Sequence, residues 1–212
     1  MTRSLGDAMH TLRLTSLTSL TSLAIAVAFA APTYSQERAD AEGERSLELT
    51  LSEETAQLRY DAPTDVWGQQ DNRMSYAVFL SEERDVVGSA ALLMGSDLSL
   101  GALEVKFGPQ AYAALLDEEN EDVFAVALGL EARFNLVRSR GIAIVGSAFY
   151  SPDVLTFGSA DNLTDFMARA EMRLNERLTG FAGYRWFELD LLMREERKLQ
   201  NELFAGVKWQ LR

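Results

Sequence analysis

Cysteine is absent from all 212 residues, and histidine occurs once, as His10. Beyond residue 10 there is neither thiol nor imidazole. That excludes zinc sites built on those ligands, cysteine nucleophiles and every serine-histidine-acid triad. Basic residues are also in short supply, 20 Lys and Arg against 32 Asp and Glu for a net charge of −12. Such a balance argues against nucleic acid as a partner, because phosphate binding draws on lysine and arginine. After residue 31 no apolar run approaches the ~20 residues that a membrane-spanning helix requires. A membrane-spanning strand needs only ~9–11 alternating residues, so this last absence leaves a barrel open.

What is present begins with an export signal over residues 1–30. Arg3 and Arg13 supply its positive start, and Leu23-Ala24-Ile25-Ala26-Val27-Ala28-Phe29-Ala30 its apolar stretch. Ala28-Phe29-Ala30 fits the small-x-small pattern of a cleavage site, which places the cut before Ala31. Met9 is an alternative start. Removing residues 1–30 takes away Arg3, Arg13 and Asp7, so the remaining chain is still more acidic. Residues 31–45 are polar and lack periodicity, the composition of a disordered lead-in.

From residue 46 to 212 the pattern is alternation, which places successive side chains on opposite faces of a strand. Leu47, Leu49 and Leu51 oppose Glu48 and Thr50. Strands are expected over 46–52, 54–60, 75–81, 85–94, 100–108, 123–135, 142–150, 165–175 and 178–187. The last, Gln200 to Arg212, carries Leu203, Ala205, Val207, Trp209 and Leu211 on one face and Gly206, Lys208 and Gln210 on the other. About ten strands result; eight, with the N-terminal hairpin outside the closure, is the alternative. An amphipathic final strand suits a barrel in which the last strand pairs with the first and removes both edges. In the segment 110–120, Ala111, Ala113, Ala114, Leu115 and Leu116 favour a short helix or an extension of the hairpin, and a loop element is expected. Connections at 109–121, 151–162 and 188–198 are expected on the outer side and are longer than those at 95–99, 136–141 and 175–178. Residues 62–74 break that asymmetry.

The fold expected is therefore all-β: an antiparallel transmembrane β-barrel following a signal peptide. Alternation alone also fits a soluble, lipocalin-like barrel with its apolar face around a ligand. The aromatics favour lipid outside. Phe107, Phe124, Phe134, Phe166, Trp186 and Trp209 sit near strand ends on the apolar face, as an interfacial girdle requires. The opposite face carries Glu104, Lys106, Glu131, Arg133, Arg169, Glu171, Arg173, Arg185 and Lys208 among small residues. In a narrow lumen these charges are expected to neutralise one another and fill the interior.

The stretch from about Met74 to Arg212 resembles the YfaZ family of outer-membrane proteins. The resemblance rests on Gly101-Ala102-Leu103-Glu104-Val105-Lys106-Phe107-Gly108 and Val126-Ala127-Leu128-Gly129-Leu130-Glu131-Ala132-Arg133. It rests also on Ala148-Phe149-Tyr150-Ser151-Pro152-Asp153-Val154-Leu155 and Gly183-Tyr184-Arg185. It implies a small outer-membrane barrel and brings no catalytic residues or cofactor.

Other polar segments read as surface. Asp117, Glu118, Glu119, Glu121 and Asp122 make a solvated acidic loop without the ligand spacing of a calcium loop, so no metal site is expected. Ser151-Pro152-Asp153 reads as turn chemistry. Arg194, Arg197 and Lys198 mark a hairpin tip that would face anionic lipopolysaccharide. The function expected is a structural barrel or narrow passive pore in the bacterial outer membrane, with no enzyme chemistry. Its partners would be membrane lipid, lipopolysaccharide and, through the final strand, the barrel-assembly machinery. A secreted barrel binding an apolar ligand is the alternative.

Overall fold

The computed structural model describes residues 45–66, 71–95, 101–116, 121–191 and 197–211. The expected export signal, the expected lead-in up to residue 44, Arg194 and most of the acidic run at 117–122 lie outside them. Eleven strands are described: β1 (Arg45–Ser52), β2 (Thr55–Thr64), β3 (Asn72–Ser81), β4 (Val86–Gly95), β5 (Leu103–Leu116), β6 (Glu121–Val137), β7 (Ile142–Ser151), β8 (Thr156–Gly158), β9 (Ala160–Arg173), β10 (Leu178–Leu191) and β11 (Arg197–Leu211). Ten of them form a closed antiparallel ring in the order β1-β2-β3-β4-β5-β6-β7-β9-β10-β11, and β11 returns to β1. The short β8 pairs with β6 alone, Val123 facing Gly158.

Closure runs through eight facing pairs between β1 and β11, from Arg45↔Leu211 to Ser52↔Phe204. Each strand's backbone donors and acceptors are thereby met by a neighbour, which a sheet surrounded by hydrocarbon requires. The N-terminal hairpin belongs to the ring, so the count is ten and not eight.

Two expectations fail here. Residues 110–116 are strand, not loop: β5 continues to Leu116, and Gln110 through Leu116 pair in register with β6 from Ala127 to Glu121. Alanine's helix propensity is a weak preference, and the ladder overrides it. Gln110, Tyr112, Ala114 and Leu116 turn inward there.

The asymmetry of connection lengths is also absent. At the end away from the first and last residues of the ring, the strands are joined by 53–54, 82–85, 117–120, 152–159 and 192–196. At the end holding Arg45 and Leu211, here the terminal end, the connections are 65–71, 96–102, 138–141 and 174–177. The strands run past the greasy band into segments that read as loops by hydrophobicity. Hydrogen bonding, not hydrophobicity, sets where a ladder stops.

The outer surface is apolar. Trp186 is 46% exposed, Leu128 61% and Val207 41%, whereas Glu171 is 2% exposed and faces the lumen. The sheet is thus turned with its apolar face outward, the arrangement of a transmembrane barrel and the reverse of a lipocalin-like calyx. Glycine is used where an inward side chain crosses a neighbouring strand. A Cβ on Gly206 would overlap the ring of Phe181 and the Leu49 carbonyl, and one on Gly129 the ring of Phe149. Phe181 faces Gly206, and Phe149 faces Gly129, directly across the ladder.

Candidate functional site

Alternation on each strand sends every second side chain into the barrel, so the lumen collects residues distant in sequence. It is filled in two layers. Toward the loop end the filling is apolar, with Phe79, Tyr112, Leu116, Val123, Leu163, Phe187, Leu189 and Leu199 all buried. Phe187 stacks edge-on against Phe79 at 5.9 Å between ring centres and lies tilted against Tyr112 at 5.6 Å. These inward aromatics were not among the expected lumen residues. The signal was available: Arg73, Ser75, Ala77 and Phe79 share one parity on β3.

Beneath this plug sits a bidentate ion pair. Arg185 Nε and Nη2 donate to Asp165 Oδ1 and Oδ2 at 2.9 and 2.7 Å, and Nη1 donates to Gln57 Oε1 at 2.6 Å. The Tyr112 hydroxyl donates to Asp165 Oδ2 at 2.8 Å. The guanidinium also faces the ring of Phe187, 4.6 Å from its centre. Each guanidinium nitrogen of Arg185 and each carboxylate oxygen of Asp165 has a partner, which offsets the cost of burying two charges.

Toward the terminal end lies a broader ionic layer. Arg169 joins Glu48 at 2.6 Å and Glu171 at 2.8 Å, and Arg133 reaches Glu171 at 2.5 Å. Lys208 Nζ stands 3.7 Å from both Glu48 Oε2 and Glu171 Oε1, within ion-pair range but too far for a hydrogen bond. Arg73 pairs with Glu131 at 2.8 Å, while its Nε lies 3.9 Å from Asp61. Glu104 accepts from Asn135 Nδ2 at 2.8 Å, and Lys106 donates to the Asp71 carbonyl at 2.8 Å.

Of the nine charges anticipated for the lumen, eight line this layer or the pair above it. Arg173 differs: it is exposed at the end of β9, its Cβ against Gly141 in the turn. Alternation fixes its parity, but the strand has left the lumen by that residue. Glu48, Gln57, Asp61, Arg73 and Asp165 take part without having been singled out. Parity alone assigns Glu48 inward, since it opposes Leu47 and Leu49 on β1.

Two spaces remain. One of about 230 Å³ lies in the ionic layer, between Arg73, Lys106, Arg133, Lys208 and the carboxylates of Glu104 and Glu171. The second, further in and bounded by Gln57, Arg185, Asp165 and Phe204, measures about 20 Å³, room for about one water. Arg73 and Glu131 border both.

All six girdle candidates are exposed on the outer face: Phe107, Phe124, Phe134, Phe166, Trp186 and Trp209. Trp209 faces Leu178, and Trp186 lies eight residues further along β10 from Leu178. At ~3.3 Å per residue and a tilt of ~40°, that places them about 20 Å apart along the barrel axis, close to the ~25 Å apolar band of such barrels. Ser151 lies at a turn, as expected, accepting or donating at 2.9 Å to Thr156 Oγ1, with a 3₁₀ turn at Asp153–Leu155. Among the described residues no cluster of three or more His, Cys, Asp or Glu is arranged to hold a metal ion.

A closed, outwardly apolar ring with an ionic interior defines a small membrane β-barrel protein. The chain belongs to the YfaZ family: the family described as YfaZ precursor matches residues 9–211. No curated protein matches the chain. Among solved structures, the KdgM porin in complex with disordered oligogalacturonate is similar at 8% identity and a TM-score of 0.45, covering 80% of this chain and 100% of that one. The KdgM porin alone gives 8% identity and 0.44 over the same shares. The outer membrane channel DcaP of Acinetobacter baumannii gives 8% and 0.39, covering 77% of this chain and 54% of its own.

Proposed function

We propose that this protein is a non-enzymatic barrel of the bacterial outer membrane whose lumen is a blocked passage. The observation that carries the reading is the narrowing from about 230 Å³ at the terminal end to about 20 Å³ under the Phe79–Phe187 plug. A hydrated ion needs more room than a single water, which supports a lumen closed to ions. Membrane lipid would cover the apolar belt, and lipopolysaccharide the loop end. The closing strand β11 would be read by the barrel-assembly machinery, with the terminal end toward the periplasm. The histidine-free interior supports the absence of catalysis, since most of its carboxylates pair with arginine or lysine.

A narrow passive pore is the second reading, favoured by the two spaces being neighbours that share Arg73 and Glu131 on their walls. Planar-bilayer recording on refolded protein lacking residues 1–30 separates them. The expected result is no single-channel steps above background for the parent protein, and small steps once Phe79 and Phe187 are both changed to alanine. Regular steps from the parent protein would replace the blocked barrel with the pore.

A further inference from the structure

The space at the terminal end carries a sign opposite to that of the chain. Arg73, Lys106, Arg133, Arg169 and Lys208 border it, against three carboxylates, Glu104, Glu131 and Glu171. A second row behind this wall adds Glu48 and Asp61, with Arg59 acting on Glu48. With Asp71, which acts on Lys106, the wall and that row together hold six cations and six carboxylates, so the surplus belongs to the wall itself, five to three. The whole chain stands at −12. A local positive surplus in so acidic a protein, inside low-dielectric walls, focuses potential on the cavity and raises the local concentration of anions.

The cations also keep unspent capacity. Lys208 Nζ makes only the two 3.7 Å ion pairs described above. Lys106 donates to a neutral carbonyl. Arg133 spends one Nη on Glu171 and its Nε on Asn135, and its side chain is 30% exposed. Glu104, on the same wall, is exposed, so the cavity is reached from solvent at that end. About 230 Å³ is the volume of roughly seven waters at ~30 Å³ each, enough for one small organic acid.

We propose that this cavity binds a small oxyanion, a carboxylate up to the size of a sugar acid, between Lys106, Arg133 and Lys208. Planar guanidinium forks and ammonium donors recognise such groups by charge-assisted hydrogen bonds. The site goes beyond the barrel reading of the lumen, because occupancy of this vestibule does not depend on whether the passage above it conducts.

The test is calorimetric titration of the refolded protein in neutral detergent with D-glucuronate, against D-glucose as the uncharged counterpart. Glucuronate is expected to bind and glucose to bind at least tenfold more weakly, with affinity falling as salt is raised. Changing Lys106 and Lys208 together to glutamine should weaken glucuronate binding roughly tenfold, while Glu104→Gln, on the exposed rim, should tighten it about threefold. Retained heat-dependent gel mobility shows that each variant is folded, and Glu104→Gln still tests the site if the double variant is not. Equal binding of sugar and acid, no measurable binding of glucuronate, or no response to Glu104→Gln overturns the assignment. Single-channel silence or conductance bears only on the blocked passage.

Discussion

At the scale of single residues, the decisive groups are buried charges whose partners come from far along the chain. Arg185 is 6% exposed and Asp165 5% exposed, and they meet bidentately in the lumen. Removing one partner strands the other. Arg185→Ala should therefore cost about 3–5 kcal/mol, the usual penalty for leaving a buried charge unpaired. Arg185→Met combined with Asp165→Asn should cost clearly less, since neither charge then remains. Urea titration of protein folded in lipid vesicles, followed by tryptophan fluorescence, measures both. A double variant as unstable as the single would show that the pair is valued for packing and not for charge. Parity made eight of the nine expected lumen charges legible. It did not show which would pair with which, because ion-pair partners such as Arg169 and Glu48 are 121 residues apart.

At the scale of elements, strands β10, β11 and β1 show how small residues and rings share the interior. Phe181 on β10 lies over Gly206 on β11, and beyond it comes the Leu49 carbonyl of β1. The ring also receives the guanidinium of Arg169, 4.5 Å from its centre. Gly206→Ala should destabilise the barrel by about 1–3 kcal/mol, the usual cost of overpacking. Phe181→Ala in the same chain should return part of that loss by freeing the space above the glycine. A double-mutant cycle with no coupling between the two positions would rule out the ring contact as the cause. The failed reading of residues 110–116 belongs at this scale. Ala111, Ala113 and Ala114 fit a helix by propensity, yet seven register pairs with β6 hold the segment extended. Pairing with a distant strand is invisible to a local window.

At the scale of the whole molecule, the orientation of the sheet governs everything else. Leu128 sits near the middle of β6 on the outer face, away from both aromatic belts. Leu128→Arg should cost about 2–4 kcal/mol in a bilayer, as for a cation at mid-depth on a lipid-facing strand. Refolding equilibria in vesicles check this, with Asp122→Arg near the loop end of β6 as the comparison and a far smaller effect expected. A negligible cost at Leu128 would mean that this face meets water. The likeness in connection length at the two ends removes one customary guide to direction across the membrane, while the burial pattern and the belts set which face of the sheet is outermost.

Period-two hydrophobicity, by itself, determined the strands' existence and the two unlike faces of each. Those depend only on the geometric rule that neighbouring side chains on a strand point opposite ways. The lack of cysteine, and of histidine beyond His10, settled in the same way which chemistries are shut out. The tertiary structure decided how far each strand runs and that ten strands join the ring. It also decided that the interior divides into an aromatic plug and an ionic vestibule. Those features arise from hydrogen-bond registers and from contacts made across the lumen, and no local stretch of sequence encodes either one.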